Sequence, residues 1–103
     1  MATPVSGPAI ITSATPGTPV TAIDVNQAGG YIVNPNIAVD QGLATVEPLY
    51  VNQVTGATLQ ANGTTIALQP GQSYSVIPYT TTPVTVSAAS ASHKFTAVQW
   101  STP

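Results

Sequence analysis

The chain has 103 residues, of which only 4% are charged, and it contains no cysteine and one histidine. Average soluble domains are about a quarter charged, so the side chains on which phosphate binding, nucleic-acid binding and most metal sites depend are nearly missing. The lack of cysteine excludes a disulfide scaffold, and a hydrophobic fraction of 43% argues against intrinsic disorder. No apolar run reaches the roughly 20 residues that span a bilayer. We therefore expect one folded domain with no nucleic-acid and no membrane partner.

The first 20 residues are repeatedly interrupted by proline, at positions 4, 8, 16 and 19. Because proline lacks a backbone N–H and fixes φ, this stretch is expected to be extended, with one edge strand over Pro8–Thr12. We predict an N-terminal arm over residues 1–20 and a β-sandwich domain over residues 21–103. The arm is expected to anchor the protein by pairing with the sheet edge of a neighbouring chain.

From residue 20 onward, short runs of Val, Ile, Thr and Tyr alternate with Gly, Pro and Asn, which is typical of all-β proteins. The predicted strands include Val20–Val25, Tyr31–Val33, Ala44–Val54, Tyr74–Tyr79, Val84–Ser87 and Lys94–Trp100. No window carries a sustained helical period. The pattern predicts a single-domain antiparallel β-sandwich of roughly 7 to 9 strands, of jelly-roll or immunoglobulin-like type, with the extended arm at its N-terminus.

Three short sequences predict turns. Asp40-Gln41-Gly42 is typical of a turn that the aspartate side chain caps. Asn62-Gly63 lies between two runs of alternating apolar residues and predicts a type I′ hairpin, because both residues tolerate positive φ. Gln69-Pro70-Gly71-Gln72 has proline second and glycine third, the pattern of a type II turn.

The titratable residues do not form a recognisable catalytic or metal motif. His93 could join a serine and one of the acids Asp24, Asp40 or Glu47 in a triad, but no Gly-x-Ser-x-Gly elbow is present. We predict instead that His93 is a loop or interface residue and that Glu47 pairs with Lys94. The acids also lack the spacing of a calcium loop. The sequence therefore predicts a protein that is not an enzyme, with no catalytic residue, metal site or cofactor.

The aromatic residues have two possible uses. A carbohydrate platform is one, but sugar sites usually surround their aromatic rings with charged and amide side chains that are scarce here. We favour the other use, in which Phe95 and some tyrosines fill the core while residues with a polar end contact a partner protein. The predicted protein-interface residues are Pro8, Ile10, Ile11, Tyr79 and Trp100.

Four stretches resemble short structural proteins of tailed bacteriophages. They are Gly29–Pro35, Glu47–Val51, Leu68–Tyr74 and His93–Phe95, and the likeness spans residues 28–100. The chain is similar to head-decoration, or cement, proteins and related virion components. The resemblance implies a non-enzymatic protein on the outer surface of a virion, made in the cytoplasm of a host bacterium. Its implied partners are the major capsid protein and copies of itself, as a dimer or trimer, with no small-molecule substrate.

Two other functions fit the same residues. A tail, fibre or baseplate component belongs to the same structural class. A secreted carbohydrate-binding or adhesin module belongs to a different class, and either a signal peptide or retention on a sugar column would favour it.

Overall fold

Eight strands form two antiparallel sheets in a computed structural model that describes residues 8–10, 18–23, 29–78 and 82–100. The strands are β1 (Pro8–Ile10), β2 (Val20–Ile23), β3 (Gly30–Val33), β4 (Leu49–Asn52), β5 (Thr65–Leu68), β6 (Ser73–Val76), β7 (Val84–Ser87) and β8 (Lys94–Gln99). One turn of helix, α1 (Ala38–Gln41), lies between β3 and β4. The all-β prediction is confirmed. No helix in these described ranges is long and apolar enough to cross a membrane.

The strand order defines the type of sandwich. One sheet has the order β1-β8-β3-β6 and the other has the order β2-β7-β4-β5. Every pair of neighbours is antiparallel. Two four-stranded sheets connected in this order form an eight-stranded jelly roll. An immunoglobulin-like sandwich divides its strands differently, so the jelly roll is the one of the two predicted types that the chain adopts.

The core lies between the two sheets and consists of aliphatic side chains with one phenylalanine. In β7, for example, Val84 and Val86 are fully buried while Thr85 between them is half-buried, as strand alternation requires. The core residues are Ile23, Ile32, Leu49, Val51, Leu68, Val76, Val84, Val86, Ala88, Phe95 and Ala97. Tyr74 packs against them. The expectation for the aromatic residues is therefore confirmed for Phe95, and among the described tyrosines Tyr74 packs against the core while remaining partly buried.

The region around β4 differs from the prediction. The predicted strand Ala44–Val54 is wrong in extent, because only Leu49–Asn52 pairs in a sheet. Before it, the chain makes the helical turn α1, which ends at Gly42 in the left-handed conformation with φ of 74°. Glycine adopts that conformation without a steric cost, so the predicted turn at Asp40-Gln41-Gly42 is present as the end of a short helix. It is closed by the backbone N–H groups of Gly42 and Leu43 and not, as predicted, by the Asp40 side chain.

The type I′ hairpin predicted at Asn62-Gly63 is wrong. The φ angle of Gly63 is not positive, and residues 53–64 form one long loop between β4 and β5. The Asn62 Oδ1 atom accepts hydrogen bonds from the N–H groups of Thr64 (2.8 Å) and Thr65 (2.7 Å). Asparagine thus bends the chain through its own side chain, a local alternative to the hairpin turn.

The type II turn over residues 69–72 is confirmed. Gly71 has a φ angle of 87°, and the N–H of Gln72 donates to the carbonyl of Gln69 at 2.9 Å. This turn leads the chain from β5 at the edge of one sheet to β6 at the edge of the other. The two edge strands therefore lie on the same side of the sandwich.

The predicted edge strand in the arm is present over Pro8–Ile10. It pairs with residues 94–96 of β8 in the same chain, rather than with a neighbouring chain as expected. Pro8 lies opposite Thr96, and an edge position suits a residue that lacks an N–H donor. The rest of the arm up to residue 17 lies outside the described residues.

Candidate protein-binding edge

Strand β6 is the outer strand of its sheet, and its pairing with β3 determines which backbone groups face outward. The N–H of Asn34, directly after β3, donates to the carbonyl of Gln72, directly before β6, at 3.0 Å. Bonded and non-bonded positions alternate along an antiparallel pair, so the even-numbered residues of β6 bond to β3. Ser73, Ser75 and Ile77 consequently direct their N–H and C=O groups away from the sheet.

A side-chain amide already occupies one of these outward positions. The Nε2 of Gln53 donates to the carbonyl of Ile77 at 2.9 Å, and its Oε1 accepts the Ile77 N–H at 3.0 Å. One residue of an added antiparallel strand would make the same two bonds through its own N–H and C=O. Tyr74 donates its hydroxyl to the same Oε1 at 2.6 Å, and burial raises the pKa of Tyr74, which keeps this hydroxyl a donor.

A groove opens between β5 and β6 beside this edge, with a volume of about 390 Å³. Its lining residues are Val51, Gln53, Val54, Gly63, Thr64, Ile66, Tyr74, Ile77 and Thr82, and none of them is charged. Val54, Ile66 and Ile77 are exposed by 62%, 46% and 57%. Clustered exposed aliphatic side chains mark interaction surfaces. We call this feature the edge groove.

A second group of exposed aliphatic residues surrounds α1, at the other end of the sandwich. Its members are Ile37, Val39 and Val46, and Val39 is exposed by 74%. Both apolar areas were missed by the sequence analysis, which ranked aromatic residues and the arm first. The serines of Ser73–Val76 do indicate an outer face, but the local sequence does not indicate which strand lies at a sheet edge.

The residues predicted to form an interface are not brought together at this groove. Pro8 and Ile10 lie in β1, at the opposite edge of the same sheet from β6. Trp100 follows β8 and is half-buried, with its ring centroid 5.8 Å from that of Tyr31 at an interplanar angle of 56°. Ile11 and Tyr79 lie outside the described residues.

The polar residues most suited to chemistry form a buried cluster near α1. The Nε2 of His93 lies 2.9 Å from the Oδ1 of Asn34, and Gln41 donates its Nε2 to the same oxygen at 3.0 Å. Asn34 donates its own Nδ2 to the carbonyls of Glu47 (3.0 Å) and Leu68 (2.9 Å). These bonds fix the orientation of the Asn34 amide, so His93 must donate from Nε2.

His93 lies in the loop directly before β8, as predicted, but it is fully buried rather than exposed at a surface. Burial lowers the pKa of His93, and the negative charge of Glu47 partly opposes the shift. The predicted pairing of Glu47 with Lys94 is wrong: the Glu47 Oε2 instead accepts a hydrogen bond from Ser90 at 2.8 Å. The cluster is arranged as a neutral hydrogen-bond network that joins four segments of chain.

Within the described part of the chain, no three His, Asp or Glu residues are grouped to hold a metal ion. No known protein family, no curated protein and no solved structure matched this sequence or fold. The surface and the fold are therefore the basis for a functional proposal.

Proposed function

We propose that this chain is a non-enzymatic virion protein that binds the outside of an assembled capsid and stabilises the contacts between capsomers. The observation that carries the proposal is the uncharged edge groove beside the open edge of β6. The resemblance to phage head-decoration proteins supports a capsid as the partner. Jelly rolls also occur in viral capsid domains, but that is a fold-level analogy, since one fold serves many functions.

The mechanism is physical rather than chemical. A protein that binds the assembled shell, and not its dissociated subunits, stabilises the shell by mass action. The exposed aliphatic side chains Val54, Ile66 and Ile77 provide apolar area for such contacts. Charge provides little, because the formal net charge is −2 and comes from very few groups. Copies of the chain, as a dimer or trimer, would bind the lattice at equivalent sites.

Cosedimentation tests this function. The purified chain would be mixed with undecorated shells of the virus that encodes it, and separately with dissociated capsid protein. We expect saturable binding to shells only, and a higher melting temperature of the decorated shell. Binding should persist from about 0.1 M to about 1 M NaCl, although the Debye length falls from about 10 Å to about 3 Å. The charge-removing variant Lys94→Gln is the matched control and should bind equally well.

Release of the chain by salt would contradict apolar attachment, and binding to dissociated capsid protein would contradict the proposed mechanism. Immunolabelling of intact virions separates the head from the tail. Label on the tail, fibre or baseplate would replace the capsid proposal with the related structural function.

A carbohydrate-binding or adhesin module is the second candidate. Lectin domains share the jelly-roll architecture, and the Tyr31–Trp100 pair could contribute an aromatic surface. Retention of the chain on immobilised sugars, lost in Trp100→Ala, would favour this function over the capsid proposal.

A further inference from the structure

We propose that β6 is the docking site for an extended, uncharged segment of a partner protein. The segment adds antiparallel to β6 as a fifth strand of its sheet and inserts apolar side chains into the edge groove. In strand addition of this kind, main-chain hydrogen bonds supply affinity and pockets for alternate side chains supply specificity. Under the proposed function the partner is the capsid protein, but the surface is defined without that assumption.

Strand β6 offers backbone groups in the geometry that strand addition requires. Ser73 and Ser75 point their N–H and C=O groups outward, and neither residue has a partner for them among the described residues. The next outward residue, Ile77, already binds the amide of Gln53 through both of its groups. The Gln53 pairing shows that an amide fits against this edge.

The other three sheet edges each carry a feature that hinders pairing with a further strand. Strand β1 has three residues and contains Pro8, and β2 has a bulge between Thr21 and Ile23. On the outer side of β5, Asn62 donates its N–H to the carbonyl of Thr65 at 3.0 Å and accepts the Thr65 N–H. Prolines, bulges and covering loops are the usual ways to block edge pairing. Strand β6 has a regular register and contains no proline, and the Gln53 cover lies at Ile77, just beyond its last residue.

The edge groove suits a separate extended segment better than a second copy of this chain. If a second copy paired through its own β6, the side chains on the groove side of that strand would be its Tyr74 and Val76. These side chains already pack in the core of that copy, so the groove would stay unfilled. A separate extended segment carries free side chains that can enter it. None of the described lining residues is charged, and burying an unpaired charge there would be costly. The occupant is therefore a foreign segment with uncharged, apolar residues at alternate positions.

The test uses the full-length chain and a blocked heptapeptide in which threonine and valine alternate. In antiparallel addition, the residue opposite Ser75 directs its N–H toward β6 and its side chain to the outer face, whereas its neighbours direct side chains into the groove. Valine fills the groove in this arrangement, and the threonine amides pair with β6. N-methylation of the threonine amides should abolish binding, and N-methylation of the valine amides should preserve it.

NMR titration of the labelled chain locates and quantifies binding. We expect shifts concentrated at Ser73, Ser75, Ile66 and Ile77. The variant Ser75→Pro removes an outward donor without removing a bond to β3, and should weaken binding by about tenfold or more. Ser75→Ala keeps the N–H and should bind like the unmodified chain. If Ser75→Pro fails to fold, the two methylated peptides provide the same test.

Three results would overturn the proposal: no binding of the unmodified peptide at millimolar concentration, equal binding of both methylated peptides, or shifts located at β1 or β2. Different results would overturn the proposed capsid function. A chain that binds the peptide but not shells refutes the capsid function alone, whereas tight shell binding by Ser75→Pro refutes β6 as the shell contact.

Discussion

Asn34 shows how an amide organises a chain that is almost free of charge. Its side chain joins the end of β3 to α1, to β5 and to the start of β8 through buried hydrogen bonds. Without it, the Nε2 of His93 would lose its partner, whereas Gln41 would keep its bonds to the carbonyls of Pro35 and Glu47. Amide side chains suit this position because they both donate and accept hydrogen bonds without the cost of burying a charge.

The variant Asn34→Ala should lower the free energy of unfolding by about 1–3 kcal/mol, since an unsatisfied buried polar group such as the His93 donor costs that much. Urea denaturation measures the loss. Asn36→Ala is the matched control, because Asn36 is exposed and surface substitutions usually change stability by less than about 0.5 kcal/mol. Equal losses in the two variants would show that the network does not stabilise the fold.

His93 should make stability depend on pH, although the scarcity of titratable groups predicts near indifference. Burial lowers the pKa of folded His93 below that of the unfolded chain, which is about 6.5. The unfolded state therefore binds the proton more readily. The contribution of neutral His93 to the free energy of unfolding is fully present above about pH 6.5 and is lost as the pH falls toward the folded pKa. Urea midpoints between about pH 5 and pH 8 should show this fall.

The variant His93→Gln provides the comparison for this prediction, because it cannot titrate in the same window. It should be less stable at neutral pH, and the fall in stability just below about pH 6.5 should disappear. Parallel pH profiles for the two proteins would mean that His93 does not cause the effect.

Sequence alone predicts a residue's structure where its own backbone preference determines it. It does not predict burial or exposure that depends on contacts with distant residues. The positive φ of Gly71 follows from its place in a Pro-Gly turn. The burial of His93 depends on Asn34, which is 59 residues away along the chain. The exposure of Ile66 likewise depends on whether β5 lies at an edge, which its own residues do not reveal.

At the scale of strands, alternation gave β7 with its observed bounds, Val84–Ser87. Two local structures explain the errors in the elements predicted around β4 and before β5. The loop between α1 and β4 contains residues 44–48, which the prediction had placed in the long strand. The Asn62 side chain replaced the predicted hairpin by bonding two backbone N–H groups. Each alternative depends on a side-chain amide that bonds backbone N–H groups, Gln41 with Glu47 and Asn62 with Thr64 and Thr65, and apolar periodicity does not detect such bonds.

Strand β3 has one position that should accept only glycine. A Cβ atom on Gly30 would collide with the backbone carbonyl of Val98 in β8, which cannot move without disturbing the sheet. Gly30→Ala should therefore lower the free energy of unfolding by about 1–3 kcal/mol or more. Gly63→Ala is the matched control, because nothing lies within 4 Å of its added Cβ and its φ is not positive.

Thermal unfolding of the two variants checks this prediction. Gly63→Ala should be neutral or slightly stabilising, by up to about 1 kcal/mol, through its effect on the unfolded chain. If Gly30→Ala melted at the same temperature as Gly63→Ala, the close approach of β3 to β8 would not be a constraint on the fold.

At the scale of the whole molecule, composition and turn spacing predict a two-sheet sandwich but not its strand order. The jelly roll pairs β1 with β8 and β2 with β7, so the first strands depend on the last. Such pairings connect segments that are far apart in the chain, and short strands of similar composition leave several pairings open. The edge groove also depends on that order, because β5 and β6 lie side by side only as the outer strands of their sheets.

The arm should be an addition to the sandwich rather than part of its core, and deletion of residues 1–18 tests this. The buried core runs from Ile23 to Ala97, while β1 contributes an edge pairing with β8. The truncated chain should show one cooperative urea transition at a lower midpoint. Ala9→Pro in the full chain should resemble it, because Ala9 lies opposite Phe95 and loses its N–H donor. Pro8→Ala is the control and should change little. A truncated chain without a cooperative transition would place the arm in the core.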